Sequence, residues 1–408
     1  MSPTASPIPP ETAPRRDPLA FAEWWEDLIW PKVLTGAGLG LRANRLGVAF
    51  FAVVLTAALL GIGTWIDDYL IKEPPVWAVH DGWASIPWRW FVETPILLVR
   101  TWPLTTLLFG PLLALAWMVT LGAIARMTAV EASSGRRIPW MEGLGFAAGR
   151  WRSLLGAALV PLIVIWFIAL LCAAFGAVLL SWPGLNLLGA ILFVIPLAFA
   201  LLAALAAGGF ILGFPLLAPA VVCDGADSID AMQRAFAYVT GRLPRLLFYL
   251  LLAAIGVLFV TTVVAIVVGW AVDFAALATS YWTSARGAQA INQGSQLPWP
   301  WSPRFFFRAG LEGPPAGTFK GAAGIINFWT AIPAAFAAAA FFASAGAAAT
   351  VVYLAMRRVC DGQDMAELWT PGAVESAMDE SLAGRARVAG EAPPPAPGTP
   401  EPLDEPGA

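Results

Sequence analysis

Long apolar runs alternate along this chain with short polar stretches that carry most of its arginines. Six runs reach about 20 residues, enough to cross ~30 Å of hydrocarbon at about 1.5 Å of helical rise per residue. They fall near 47–65, 104–125, 154–180, 187–214, 245–272 and 324–356. The pattern predicts an all-α fold, a polytopic membrane helical bundle of six transmembrane helices spread over residues 17–376. Residues 1–16, rich in Pro, Ser and Thr, lack a basic start followed by an apolar core and read as a disordered tail, not a signal peptide. The Pro/Glu-rich stretch 377–408 reads as a second tail.

Shorter patterns predict amphipathic interfacial helices beside the spans. Phe21, Trp24, Trp25, Leu28 and Ile29 fall on one helical face, with Glu23, Glu26 and Asp27 on the other, until Pro31 stops the pattern. Indole rings favour the membrane interface. The acidic face either packs against the protein's own arginines or leaves the helix as a lipid-lying anchor. Further on, Asp227 or Ser228 can cap a helix with Ile229, Met232, Phe236 and Val239 on one face, flat on the membrane surface. Between the spans, 66–102 and 273–323 are loops dense in tryptophan and phenylalanine.

The fourth run continues to Val222, too long for one straight crossing, and it contains Pro196, Pro215 and Pro219. A break is expected near Phe214-Pro215, because proline removes a backbone donor and clashes with the preceding turn. Gly209 and Gly213 form a small-xxx-small pair that lets another helix approach, so Gly209, Gly213 and Pro215 are the candidate packing and hinge positions.

One turn sequence recurs. Val222-Cys223-Asp224-Gly225-Ala226-Asp227 reappears as Val359-Cys360-Asp361-Gly362-Gln363-Asp364, identical at five of six positions and again directly after an apolar run. Phe146-Ala147-Ala148-Gly149-Arg150 is echoed by Tyr238-Val239-Thr240-Gly241-Arg242. Three units result, in which a helix descends and exits through an Asp/Gly or Ser/Gly turn. Asp-Gly is also ordinary turn chemistry, the plainer account of the match. The acidic turns, Asp224, Asp227, Asp361 and Asp364, would form a divalent-cation site only if the units were neighbours; otherwise they are turn formers and helix caps.

Composition narrows the picture. The 408 residues are 59% hydrophobic and 12% charged, against about 25% charged in soluble domains. A net charge of -3 without a Lys/Arg stripe argues against a nucleic-acid partner. Three cysteines, Cys172, Cys223 and Cys360, without a CxxC, form neither a disulfide framework nor a zinc site. The single histidine, His80, leaves no multi-histidine metal site. No Asp, Glu, Lys, Arg or His falls in the interiors of the six runs; the polar residues Arg100, Arg245, Asp273 and Asn327 lie at their ends. Lysines and arginines number 13 in segments 32–46, 126–152, 223–245 and 357–376 against 7 on the other side. By the positive-inside rule the former side and both termini are cytoplasmic.

The stretches Pro219-Ala220-Val221-Val222-Cys223-Asp224-Gly225, Ile229-Asp230-Ala231, Phe236-Ala237-Tyr238-Val239-Thr240-Gly241-Arg242 and Tyr353-Leu354-Ala355-Met356-Arg357-Arg358-Val359-Cys360-Asp361-Gly362 carry a resemblance. Their layout resembles a group of bacterial multi-pass membrane proteins that includes the membrane domain attached to some glycerophosphodiester phosphodiesterases. The resemblance covers about a tenth of the chain and implies a membrane module. The family's soluble barrel needs a Glu/His/Asp catalytic set that this chain lacks. No phosphate loop, HExxH or nucleophile elbow occurs. The expectation is a non-enzymatic, cofactor-free protein of the bacterial inner membrane that scaffolds other membrane components. Its partners would be membrane lipids and a membrane protein or a second copy. The alternative is a transporter or channel with a site at the broken fourth helix; a lipid-acting enzyme is the third reading.

Overall fold

A computed structural model of the chain describes residues 29–70, 94–295, 315–365 and 367–369. Among the described residues there are twelve α-helices and no strand. They are α1 (Ile29–Leu39), α2 (Ala43–Leu70), α3 (Thr94–Thr101), α4 (Gly110–Ser134), α5 (Trp140–Gly149), α6 (Trp151–Phe175), α7 (Leu185–Ile191), α8 (Val194–Asp224), α9 (Ser228–Gly241), α10 (Leu243–Ser280), α11 (Ala285–Gly294) and α12 (Thr318–Cys360). A π-helical turn, Thr105–Phe109, precedes α4, and another, Gly176–Leu180, extends α6. Six helices (α2, α4, α6, α8, α10 and α12) are long and apolar enough to cross a membrane. The all-α, six-span architecture is as the hydrophobic pattern predicts.

The last span is the centre. In α12, 61% of the most apolar window is buried, against 11–28% in the other five. It packs against α1, α2, α4, α8, α10 and α11. Its composition explains this: Ala339, Ala340, Ala343, Ser344, Ala347 and Ala348 present almost no side chain, so neighbouring backbones come close.

Several expectations are corrected. Pro31 does not stop a helix: Ile29–Leu39 is helical and Pro31 sits in its first turn, where a missing N–H costs nothing. Val33 and Ala37 of α1 are fully buried where it packs against α10 and α12. A Cβ on Gly40 would lie 2.4 Å from the Ser344 backbone, and one on Gly256 2.7 Å from the Leu34 carbonyl. Only glycine permits this seat. The acidic pattern from Phe21 to Asp27 lies outside the described residues, as do both tails and positions 71–93 and 296–314 of the two aromatic loops. Much of 273–323 is helical rather than loop, because α10 runs on to Ser280, α11 occupies Ala285–Gly294 and α12 begins at Thr318.

The fourth run does not break at Phe214-Pro215. Helix α8 is continuous from Val194 to Asp224 through Pro215 and Pro219. The interruption falls at Leu192-Phe193, and Pro196 occupies the first turn of the new helix. Breaking at Pro215 would strand several backbone groups in a non-polar setting, whereas an intact helix loses one hydrogen bond per proline.

The helices also outrun the predicted spans, so charged residues fall within them. Asp67 does not end the first span: it lies inside α2, 1% exposed, and accepts hydrogen bonds from Leu104 N (3.1 Å), Thr105 N (2.9 Å) and Thr105 Oγ1 (2.7 Å). Asp273, expected at a span end, is buried within α10. Arg45 near the start of α2 donates to Glu131 Oε2 (2.6 Å) and Met127 O (2.8 Å) of α4. Helices can extend beyond ~20 residues here because backbone and side-chain groups of neighbouring segments satisfy Asp67 and Arg45. The pairings also order the bundle: Arg45–Glu131 ties α2 to α4 at one end, Asp67–Thr105 at the other.

Candidate functional site

The richest polar constellation lies where α8 and α12 terminate. Three spans exit through a glycine in the left-handed conformation: Gly135 after α4 (φ 68°), Gly225 after α8 (φ 67°) and Gly362 after α12 (φ 69°). A Cβ is disfavoured there, which accounts for the glycine in each turn. Two of these spans lead into a short helix closed by Gly-Arg, α5 before α6 and α9 before α10. The turn pattern thus has one backbone geometry.

Asp224, the last residue of α8, is the hub. Its side chain is 6% exposed. Oδ1 accepts from Arg357 Nη1 (2.6 Å), and Oδ2 from Arg234 Nη1 (2.6 Å) and the Tyr353 hydroxyl. Arg357, 2% exposed, also donates through Nη2 to the carbonyls of Asp364 (2.7 Å) and Glu367 (2.5 Å), pinning the chain beyond the second turn. The connection runs both ways, because Tyr238 of α9 donates its hydroxyl to Asp361 Oδ2. Each Asp-Gly turn therefore receives a tyrosine from beside the other. The two rings pack with centroids 5.9 Å apart.

Arg126 and Arg150 complete the end. Arg126 Nη1 donates to Val222 O (3.1 Å) with its guanidinium over the Phe146 ring, and Arg150 Nη1 donates to Gly225 O (2.5 Å). Both satisfy carbonyls at the C-terminus of α8, where the helix dipole favours positive charge. Burial lowers the pKa of Arg150. Burial alone would depress Arg234, but the Asp224 carboxylate and the Tyr353 hydroxyl hold it above its ordinary value. Burial and the hydrogen bond to Asp361 push the Tyr238 hydroxyl well above the usual tyrosine range.

The four turn aspartates do not converge. Asp224 and Asp361 are bridged by tyrosines, and Asp227 caps α9, its Oδ1 accepting from Ile229 N (3.0 Å) and Asp230 N (2.9 Å). Asp364 contributes its carbonyl to Arg357. Among the described residues no three His, Cys, Asp or Glu side chains group as metal ligands. Gly209 and Gly213 do receive a helix, but it is α9: a Cβ at Gly209 would meet the Phe236 ring at 2.4 Å, and one at Gly213 would lie 3.4 Å from the Ala235 Cβ. The face of α9 turned inward is Ala231, Ala235, Tyr238 and Val239, while Ile229 is 52% exposed. Helix α9 is seated on α8 and α6 by these small residues together with Phe236 and Val239, so of the expected face Ile229 is the residue turned outward.

Beside Pro215, where the expected site lay, a groove of about 650 Å³ runs between α8, α10 and α12. Ala253, Ala254, Phe341, Ala345, Ala348 and Ala349 are among its lining residues. Its polar side chains are Thr261, whose hydroxyl donates to Val257 O (2.7 Å), and Thr262. Such a surface holds apolar groups, not ions or polar solutes.

The roles of Tyr238, Arg234, Tyr353 and Arg357 were not read from the sequence. One signal was available: Tyr353 and Arg357 stand four apart on one helical face directly before the second turn, in a chain with only five tyrosines. No family model matches the chain, and neither does any curated protein or solved structure.

Proposed function

We propose that this chain is a non-enzymatic integral protein of the bacterial inner membrane that assembles other membrane components, taking a spanning helix of a partner protein into the groove beside Pro215. The alanine-lined groove carries the reading. Lipid chains are as apolar as a leucine face, so helices associate in membranes through close backbone approach, and Ala253, Ala254, Ala345, Ala348 and Ala349 leave room for it. The clasp at Asp224 supports the same view, because Asp224, Arg234 and Arg357 are spent on one another and hold the helices in register. Transport loses the feature that motivated it, since α8 is continuous at Pro215 and the neighbouring groove is apolar. The resemblance to the membrane module of glycerophosphodiester phosphodiesterases rests on the turn motifs alone and is compatible with a non-catalytic part. The end bearing the Asp-Gly turns faces the cytoplasm, in keeping with its arginines.

A photoreactive residue at Ala349, with a second at Phe167 on the lipid-facing side of α6 as control, tests this in native membranes. The assembly role expects a single protein adduct of defined mass from Ala349 and none from Phe167. Lipid adducts alone from both positions overturn it. An adduct of twice the chain mass replaces the foreign partner with a second copy.

A further inference from the structure

A second groove, of about 490 Å³, lies between α2 and α4 and closes at one end against α5. Its walls include Phe51, Leu55, Leu112 and Leu115, and Trp140 and Leu144 of α5 form the closed end. Thr120 is the one hydrogen-bonding side chain in the lining besides the Trp140 indole. Phe51, Leu55, Leu112 and Trp140 are each at least 40% exposed, so the groove is open along its length. Trp140 marks its polar end, because indole rings settle at headgroup level.

Beside that end stands an unbalanced cluster of charge. Glu131 Oε2 is taken by buried Arg45 (2.6 Å), while Arg42 Nη2 and Arg137 Nε both approach Oε1 at 3.5 Å. Three guanidinium groups thus share one carboxylate. Among the described residues, Glu131 is the carboxylate that pairs with Arg42, Arg45 and Arg137. The nearby Glu142 of α5 acts instead on Arg126. Arg42 and Arg137, with 48% and 66% of their side chains exposed, hold most of their donors ready for another anion. Asn44 Nδ2 donates to Ile138 O (3.2 Å) and fixes the segment carrying Arg137 and Trp140 against the start of α2. Charge and groove are therefore parts of one rigid corner.

We infer that this corner binds an anionic phospholipid, with the phosphate between Arg42 and Arg137 and one acyl chain along the groove between α2 and α4. Paired guanidinium groups match the phosphodiester geometry, and basic pockets between spanning helices recognise acidic headgroups. A zwitterionic lipid fills the groove equally well but brings its own cation to a site with two positive charges in excess, so the cluster selects net negative charge. The inference does not depend on the assembly role proposed above.

Native mass spectrometry of the full chain in detergent, titrated with phosphatidylglycerol or phosphatidylcholine, provides the test. Wild type should bind one phosphatidylglycerol in roughly thirtyfold preference, the scale of two arginines near an acidic headgroup. R42Q/R137Q leaves the Arg45–Glu131 pair in place; it should abolish the preference and retain weak binding of either lipid. A116F, which fills the groove from α4, should remove binding of both. R242Q/R245Q removes the same charge elsewhere and should bind as wild type. Equal binding of the two lipids by wild type overturns the inference, as does an undiminished preference in R42Q/R137Q or a loss in R242Q/R245Q as large as in R42Q/R137Q. Wild type and R242Q/R245Q decide the matter if R42Q/R137Q fails to fold.

Discussion

Two aspartates three positions apart do unequal work. Asp224 is buried and shared by Arg357, Arg234 and Tyr353, whereas Asp227 is exposed and caps a single helix. Removing Asp224 leaves Arg357 as an uncompensated buried charge, so Asp224→Ala should cost about 3–5 kcal/mol. Asp227→Ala should cost about 1 kcal/mol, the usual loss of an N-cap. Thermal unfolding of the two variants in one detergent makes the comparison. A pH dependence belongs to the same network. The Tyr238 pKa is raised in the folded state, so the neutral phenol is what the fold favours. Its contribution is fully present below the unfolded value, about pH 10, and is lost as pH rises beyond that. Unfolding temperature measured through this range should fall more steeply for wild type than for Tyr238→Phe. Equal slopes would place the titration elsewhere.

At the scale of elements, α1 is the sharpest case. It is held by glycine contacts, so Gly40→Ala must push it away from α12 and should destabilise by about 1–3 kcal/mol. Gly47, also near the start of α2 but with nothing within 4 Å of a built Cβ, should accept alanine with little change. Protease sensitivity of residues 29–42 separates the two variants. The sequence made the six long helices legible because apolar length is a local property. It hid α1, whose eleven residues are too few for a hydrophobic-length signal and whose stability comes from α10 and α12. Pro215 does not break its helix for a related reason: proline forfeits one hydrogen bond, but along an apolar helix a break costs more. The left-handed glycines were legible in the turn motif. The tyrosine exchange was not, since it joins residues 123 and 129 positions apart.

Taken whole, the molecule has two unlike ends. One gathers Arg45, Glu131, Arg126, Asp224, Arg357 and Asp361, and the other holds Asp67 under Thr105. Single cysteines at Gln233 and Gln363, both exposed, should therefore react with an impermeant thiol reagent from one side of the membrane. A cysteine at Trp182, in the turn after α6, should react only from the opposite side. Finding 233 and 363 on different sides would dismantle the six-crossing arrangement.

Synthesis proceeds from the amino terminus, and the most enclosed of the six spans follows the other five. Five crossings precede this strut, and until it is made Asp224 lacks Tyr353 and Arg357. Completion of α12 is thus the moment at which the two Asp-Gly turns fasten together, and a chain cut short before residue 353 keeps that clasp open.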